Sequence, residues 1–187
     1  PTTEGTYTSP LVPSVVAILP DGNCWVGEGA KRLRATPHQA SLLFERNLFY
    51  DTKNEMGLRK TYFRAPEAFD HASKIAGIIL AFLKEQAEQS AGNEHRRIAV
   101  TVPASFQLNQ RRDTLLACRY AGLMLHDEDL LDEPTAALID YLYRTGAEKA
   151  VEPGRSALAV VFDFGGGTCD VSVLEINQDR KHERLNL

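Results

Sequence analysis

The residues best suited to chemistry stand in one run near the end of the chain, where two carboxylates and a hydroxyl flank a series of glycines. Glycine lets backbone N–H groups approach an anion closely. Two acids and a hydroxyl are suited to hold the water shell of Mg²⁺. The run therefore predicts a phosphate-binding turn, with Asp163 and Asp170 acting on Mg²⁺ through water. The other members of the run are Gly165, Gly166, Gly167 and Thr168.

The segments on either side of the glycines indicate which kind of phosphate site this is. Residues 157–164 predict a buried strand, and residues 170–176 alternate like a second strand. A Walker loop requires GxxxxGK[ST], which the sequence lacks, and a dinucleotide-binding turn would open a helix. The sequence therefore predicts a β-hairpin whose tip holds phosphate. The alternative at this stage is a glycine-rich hairpin without a ligand.

Composition narrows the class of protein. The chain has 187 residues, of which 43% are hydrophobic and 25% charged, as expected for an ordinary globular protein. The formal net charge of -4, with lysine and arginine scattered, argues against a nucleic-acid or anionic-membrane partner. The three cysteines are far apart and form no CxxC pair, so they suggest neither a zinc site nor a disulfide framework. We expect reduced thiols and a cytoplasmic location.

Strand and helix patterns alternate along the chain, which favours an α/β fold. Residues 15–19 and 24–26 predict a hairpin, residues 61–64 a strand and residues 98–102 another strand. Apolar residues recur at helical spacing in three later segments, and these predict helices at 66–90, 109–121 and 134–143. Residues 146–154 are predicted to be a linker.

Three further segments, with the glycine run, carry a resemblance to a known family. They are Pro13-Ser14-Val15-Val16, then Thr101-Val102-Pro103-Ala104-Ser105-Phe106 followed by Gln110-Arg111, and Glu133-Pro134-Thr135-Ala136-Ala137. In order and spacing the chain resembles the ATPase domain of the DnaK-type chaperones of the heat shock protein 70 family. That family belongs to the actin, hexokinase and heat-shock ATPase superfamily. The resemblance implies an actin-like, ribonuclease H-like fold, a mixed sheet with flanking helices, present here in part.

The resemblance also implies roles for single residues. Glu133 would orient the attacking water or the water shell of Mg²⁺, and Asp163 would do likewise and accept a proton. The glycines and Thr168 would contact the phosphates of ATP or ADP. Pro103 and Arg111 would form a relay that couples the nucleotide state to a distant domain. Each has a plainer alternative: Glu133 as a solvated helix N-terminus, Arg111 as a surface helix residue and Pro103 as a strand end.

The sequence departs from the family pattern at a position that matters for hydrolysis. The family's catalytic lysine is expected within residues 44–50, where Arg46 gives the best match, loosely aligned. Arginine keeps the positive charge, but its guanidinium is bulkier and forked, so the exchange is not conservative at a tight site. This departure supports a non-hydrolysing nucleotide sensor or scaffold as the alternative function. Smaller departures are Ser105 and Cys169 in place of aromatic residues, and Asp132 in place of asparagine.

The resemblance further implies how the chain is divided and what it works with. Residues 11–64 would form the outer subdomain of the first lobe, residues 65–152 most of its inner subdomain, and residues 155–187 the start of the second lobe. The family's first phosphate loop has no visible counterpart before Pro13, so we expect the chain alone to bind ATP weakly or not at all. Partners of the intact protein would be unfolded peptide segments, a J-domain co-chaperone and a nucleotide exchange factor. A sugar kinase, an actin-like filament protein and a structural module are the other classes considered.

Overall fold

The computed structural model of the chain describes residues 11–92, 97–146, 155–165, 169–178 and 185–186, which form two compact units. The first unit takes in the described residues up to Ile98 and Gln107–Asp127. The second takes in Ala99–Phe106 and the described residues from Glu128 onward. Helices and strands are mixed in both, which confirms the predicted combination of the two.

The first unit contains a small antiparallel sheet of three strands in the order β2-β1-β3. The strands are β1 (Val15–Ile18), β2 (Cys24–Val26) and β3 (Leu48–Tyr50). The predicted hairpin is therefore confirmed, with Ile18 paired to Cys24 at its turn. Asp21 shapes that turn by accepting hydrogen bonds from the backbone and side chain of Asn23, at 2.9 and 2.7 Å.

Three α-helices complete the first unit: α1 (Glu28–Ala35), α2 (Ala72–Ala91) and α3 (Leu108–Tyr120). Helix α2 packs on α3 at Gly77, where an added Cβ would lie only 2.6 Å from Cβ of Tyr120. The two backbones can approach this closely because glycine has no side chain. Helix α3 begins with reciprocal capping bonds between Gln107 and Gln110.

The core of the first unit joins the sheet to α2. Val16, Phe49, Tyr62 and Ile75 are buried together, and the rings of Phe49 and Tyr62 lie 5.4 Å apart. Burial of these apolar side chains supplies the main driving force for docking the helix on the sheet. The apolar residues whose helical spacing predicts this helix therefore pack in the core of the unit.

Two predictions for the first unit need correction. Residues 61–64 form no strand: the N–H of Tyr62 bonds the carbonyl of Asp70, and Arg64 has a positive φ of 64°. The N–H of Ala65 bonds the carbonyl of Tyr62, so these bonds and the left-handed residue form an irregular turn rather than a ladder. The helix predicted at 66–90 begins later, because Glu67–Phe69 form a separate 3₁₀ turn and α2 starts at Ala72.

The second unit contains two sheets. Strands β4 (Val100–Val102) and β5 (Leu130–Asp132) are parallel, and helix α4 (Glu133–Thr145) follows β5 directly. Strands β6 (Ser156–Phe164), β7 (Cys169–Gln178) and β8 (Leu185–Asn186) form an antiparallel sheet in that order. The linker predicted at 146–154 lies outside the described residues, apart from Gly146.

One face of the β6–β7 hairpin is covered and the other is open. Leu138 and Leu142 of α4 pack against Ile176 in a small buried cluster. On the opposite face Phe162 is 61% exposed and Val173 is 64% exposed. The prediction that residues 157–164 are a buried strand is therefore correct for the strand and wrong for its burial. Hydrophobic alternation cannot tell whether a second layer covers a sheet.

Candidate functional site: an acidic cavity at the strand ends

Four predicted site residues of the second unit line one cavity of about 220 Å³: Pro103, Glu133, Asp163 and Asp170. Strands β4 and β5 position its first wall. They are parallel and in register, with Val102 paired to Asp132, so their carboxyl ends meet at the same edge. Pro103 follows one strand and Glu133 follows the other, and both line the cavity. Ligand sites of α/β proteins commonly lie at such strand ends.

The hairpin β6–β7 supplies the second wall. Asp163 and Asp170 are directly paired across the two strands, so their side chains project from the same face, and both line the cavity. Gly165 follows the end of β6 and is exposed. The other predicted phosphate-binding residues, Gly166, Gly167 and Thr168, lie outside the described residues.

The N-terminus of helix α4 also reaches the cavity. Glu133 is the first residue of the helix and Pro134 the next, a position where proline costs no helical hydrogen bond. A helix N-terminus carries a partial positive charge that favours an acidic side chain or a bound anion. The plainer alternative for Glu133, a helix N-terminus, thus describes its position correctly, and the same residue faces the cavity.

Three carboxylates on one cavity give it a strongly acidic character that favours a cation. Oxygen ligands of this kind suit Mg²⁺, which usually retains several of its waters. Within the described part of the chain, no group of three His, Cys, Asp or Glu side chains that could hold a metal ion is found. Carboxylates that line one cavity fit a Mg²⁺ ion that keeps its waters, the form that the sequence predicts for Asp163 and Asp170.

Two serine residues line the cavity without any sequence motif that predicts a role for their hydroxyl groups. Ser105 lies in a turn closed by a 3.0 Å hydrogen bond from the N–H of Phe106 to the carbonyl of Pro103. Ser172 lies on β7, paired with Val161 and two residues after Asp170. Strand alternation could have placed Ser172 on the face of Asp170. Nothing in the local pattern indicates the position of Ser105, because a turn has no side-chain period.

The two predicted arginines belong to the first unit. Arg111, on α3, lies with its Nε 3.3 Å from Oδ1 of Asp127. Arg46 lies in the turn before β3, where its N–H bonds the carbonyl of Leu43. Its side chain is exposed and makes no hydrogen bond or ion pair to any residue that the structure describes. The cavity itself is lined by residues of the second unit alone.

The strand-end cavity gathers three carboxylates, those of Glu133, Asp163 and Asp170, within one unit of the chain. A model of the family described as "Hsp70 protein" matches residues 3–181. The chain therefore belongs to the Hsp70 protein family.

Relatives of the chain are chaperone proteins named DnaK. The chain is 35% identical to DnaK of Elusimicrobium minutum over 175 residues, which cover 93% of the chain and 25% of the relative. It is 34% identical over 179 residues to DnaK of Thermoplasma volcanium, covering 95% of the chain and 26% of the relative. It is 36% identical over 165 residues to DnaK of Mycoplasma mobile, covering 88% of the chain and 24% of the relative. The chain thus spans about a quarter of the length of these curated relatives.

Among the described residues, no helix is both long enough and apolar enough to span a bilayer.

Proposed function

We propose that this chain is part of the nucleotide-binding ATPase domain of a DnaK-type chaperone. In the complete protein the domain binds ATP or ADP with Mg²⁺, hydrolyses ATP, and drives the binding and release of peptides in a separate domain. The observation that carries the proposal is the cavity that gathers Pro103, Glu133, Asp163 and Asp170 from four different segments of the chain. Family membership supports the same reading.

Hydrolysis at this site needs a water molecule placed in line with the terminal phosphate. The water oxygen bonds to the terminal phosphorus, and the bond from that phosphorus to the bridging oxygen breaks with its electron pair passing to ADP. Glu133 orients the attacking water, and Asp163 accepts the proton that the water loses. Asp163 and Asp170 would also hold the hydrated Mg²⁺, which neutralises charge on the phosphates when it is bound.

The phosphates themselves are assigned to the turn of the β6–β7 hairpin. Gly165, Gly166 and Gly167 present backbone N–H groups to the phosphate oxygens, and the Thr168 hydroxyl adds a further donor. Arg46 supplies a positive charge to the developing negative charge in the transition state. Its exposed side chain, without a partner among the described residues, is compatible with such a role.

The arrangement of the complete protein is part of the proposal. The domain has an actin-like ATPase fold, with residues 11–64 and 65–152 as outer and inner subdomains of the first lobe and residues 155–187 beginning the second. Pro103 and Arg111 relay the nucleotide state to the peptide-binding domain. A J-domain co-chaperone and a nucleotide exchange factor regulate the cycle in the cytoplasm. Neither nucleic acid nor a membrane is a partner, as the acidic net charge suggests.

Single-turnover ATP hydrolysis by the complete protein tests the proposal. We expect the wild type to hydrolyse ATP, and the Glu133→Gln variant to be slower by about 10²-fold, as is typical when a residue that assists proton transfer or water positioning is lost. Glu85→Gln, a substitution on helix α2 of the other unit, is the matched control and should leave the rate unchanged.

An Arg46→Lys variant separates the proposed function from its alternative. Wild-type protein that binds nucleotide without hydrolysing it, and gains turnover as Arg46→Lys, would be a nucleotide sensor rather than an ATPase. For the 187-residue chain alone we expect no micromolar affinity for Mg-ATP in a calorimetric titration, because one phosphate-binding hairpin cannot close a cleft around the nucleotide. Micromolar binding would contradict that expectation.

A further inference from the structure

Ser105 lines the same cavity as Glu133 but has no role in the function proposed above. The turn from Pro103 to Phe106 places it there, immediately after the carboxyl end of strand β4. Glu133 occupies the corresponding place after the neighbouring parallel strand β5. The two side chains therefore belong to one wall of the cavity, opposite the carboxylate pair of the hairpin.

The Ser105 hydroxyl is available for a hydrogen bond to a ligand or to water. It makes no hydrogen bond to any residue that the structure describes, and the residue is exposed, so solvent reaches it. A serine hydroxyl both donates and accepts hydrogen bonds. It can therefore donate a hydrogen bond to one lone pair of a water oxygen, which leaves the other lone pair for the phosphorus and the two water protons for the neighbouring carboxylates of Glu133 and Asp163.

The second hydroxyl at the cavity is less well placed for the reacting end of a nucleotide. Ser172 lies two residues beyond Asp170 along β7, which moves it about 7 Å further from the end of the paired ladder at a strand rise of about 3.4 Å per residue. Its direct partner on the neighbouring strand is the apolar residue Val161. Ser105 extends from the turn after β4 rather than from this strand.

We propose that Ser105 is a further catalytic residue, whose hydroxyl holds the attacking water together with Glu133. The inference rests on the proposed ATPase function and adds one contact to it. The water oxygen still bonds to the terminal phosphorus, the bridging oxygen still leaves with ADP, and Asp163 still accepts the proton. Ser105 gains and loses no atom: it fixes the direction from which the water approaches.

The test compares Ser105→Ala, Ser105→Thr and wild type as complete proteins. Loss of one hydrogen bond to the water should slow single-turnover hydrolysis by about tenfold in Ser105→Ala, with ADP affinity changed by less than about twofold. Ser105→Thr keeps the hydroxyl and should restore most of the rate. Ser156→Ala, at the exposed start of β6, controls for removal of a serine hydroxyl in the same unit.

A binding measurement provides a readout that does not depend on turnover. ADP with aluminium fluoride mimics the transition state, in which the attacking water is in place, and such analogues report interactions made only there. Ser105→Ala should bind this complex about tenfold more weakly than wild type while binding ADP alone equally well, because only the former uses the positioned water.

The outcomes distinguish this inference from the function on which it rests. If wild type hydrolyses ATP and Ser105→Ala matches it in both rate and analogue affinity, Ser105 has no catalytic role. A parallel loss of ADP affinity in Ser105→Ala would indicate a structural role and would also overturn the inference. If wild type hydrolyses no ATP, the proposed function fails, and the role of Ser105 fails with it.

Discussion

Asp163 and Asp170 lie directly opposite each other on the antiparallel strands β6 and β7, one residue from the end of the paired ladder. Two carboxylates in this relationship repel each other unless a cation lies between them or close by. The arrangement is unfavourable for folding and favourable for binding a cation, a combination often found where function rather than stability selects the residues.

Replacing one member of this pair should therefore stabilise the protein in the absence of a cation. We expect Asp170→Asn to raise the free energy of unfolding by about 0.5 kcal/mol, the size typical of a cross-strand charge pair. Urea unfolding with a chelator and without nucleotide measures this. Asp140→Asn on α4 is the control, since it removes the 2.9 Å ion pair with Arg144 and should not stabilise. A lower stability for Asp170→Asn would show that the carboxylates do not repel.

Gly57 should tolerate no side chain. Its φ is +81°, and an added Cβ would lie 2.7 Å from Nδ2 of Asn109. Its N–H donates to Oδ2 of Asp113 at 2.8 Å, and its carbonyl accepts from Asn109 at 3.0 Å. We expect Gly57→Ala to lower the free energy of unfolding by about 2–3 kcal/mol, because left-handed strain adds to a clash and to disturbed hydrogen bonds.

Gly22→Ala is the matched control for Gly57. Gly22 has a similar φ of +85° and no atom within 4 Å of an added Cβ. Its substitution should cost only the left-handed strain, about 1–2 kcal/mol. Equal destabilisation by the two variants in denaturant unfolding would mean that the contacts of Gly57 with helix α3 contribute nothing.

The ion pairs of Lys60 predict a loss of stability in alkali. Its Nζ lies 2.7 Å from Oε1 of Glu45 and 2.5 Å from Oε1 of Glu55. The hydrogen bond to Glu45, and after it the hydrogen bond to Glu55, raise the pKa of Lys60. Burial, and then the hydrogen bond to Glu55, raise the pKa of Tyr62. A group whose pKa is higher in the folded state than in the unfolded state contributes its full stabilisation at pH values below the unfolded-state pKa. That contribution is lost as the pH rises towards and through the folded-state pKa.

The free energy of unfolding should therefore fall above about pH 10, near the unfolded-state pKa values of tyrosine and lysine. Lys60→Gln should lower stability by about 1 kcal/mol at pH 8, since the pair is partly exposed, and should flatten the alkaline decline. Lys84→Gln removes a simple helix pair with Glu88 at 3.4 Å and should leave the pH profile as in wild type. Unfolding curves recorded between pH 8 and pH 11 compare the three proteins. Identical slopes for Lys60→Gln and wild type would contradict the prediction.

The open face of the β6–β7 hairpin predicts dye binding by the 187-residue chain. Large apolar side chains on this face are more than half exposed, and a continuous apolar patch of this kind binds hydrophobic probes. The residues are Leu158, Val160, Phe162, Phe164, Val171 and Val173. We expect the chain to increase the fluorescence of anilinonaphthalene sulfonate, and Phe162→Thr to reduce that increase. The control is Leu108→Thr on α3, where Leu108 is 85% exposed. This substitution should leave the fluorescence increase unchanged.

The sequence by itself determined the features that depend on local chemistry. The turn at Asp21 and Asn23 identifies the first hairpin, and Pro134 after Glu133 marks the start of α4, because backbone constraints of this kind act over a few residues. Strand alternation on both sides of the glycine run also predicts the β6–β7 hairpin. The segments that carry the family resemblance lie in the same pieces of the chain.

Only the tertiary structure decided which residues share a cavity and which faces stay open. Ser105 joins Glu133 because β4 and β5 pair in parallel across a separation of about thirty residues, a relationship that no local pattern contains. The sequence pattern of residues 61–64 predicts a strand, but in the structure these residues pair with no described strand. Tyr62 instead packs into the core as part of a turn. In each case the deciding free energy comes from contacts between distant segments, and these exist only once the chain has folded.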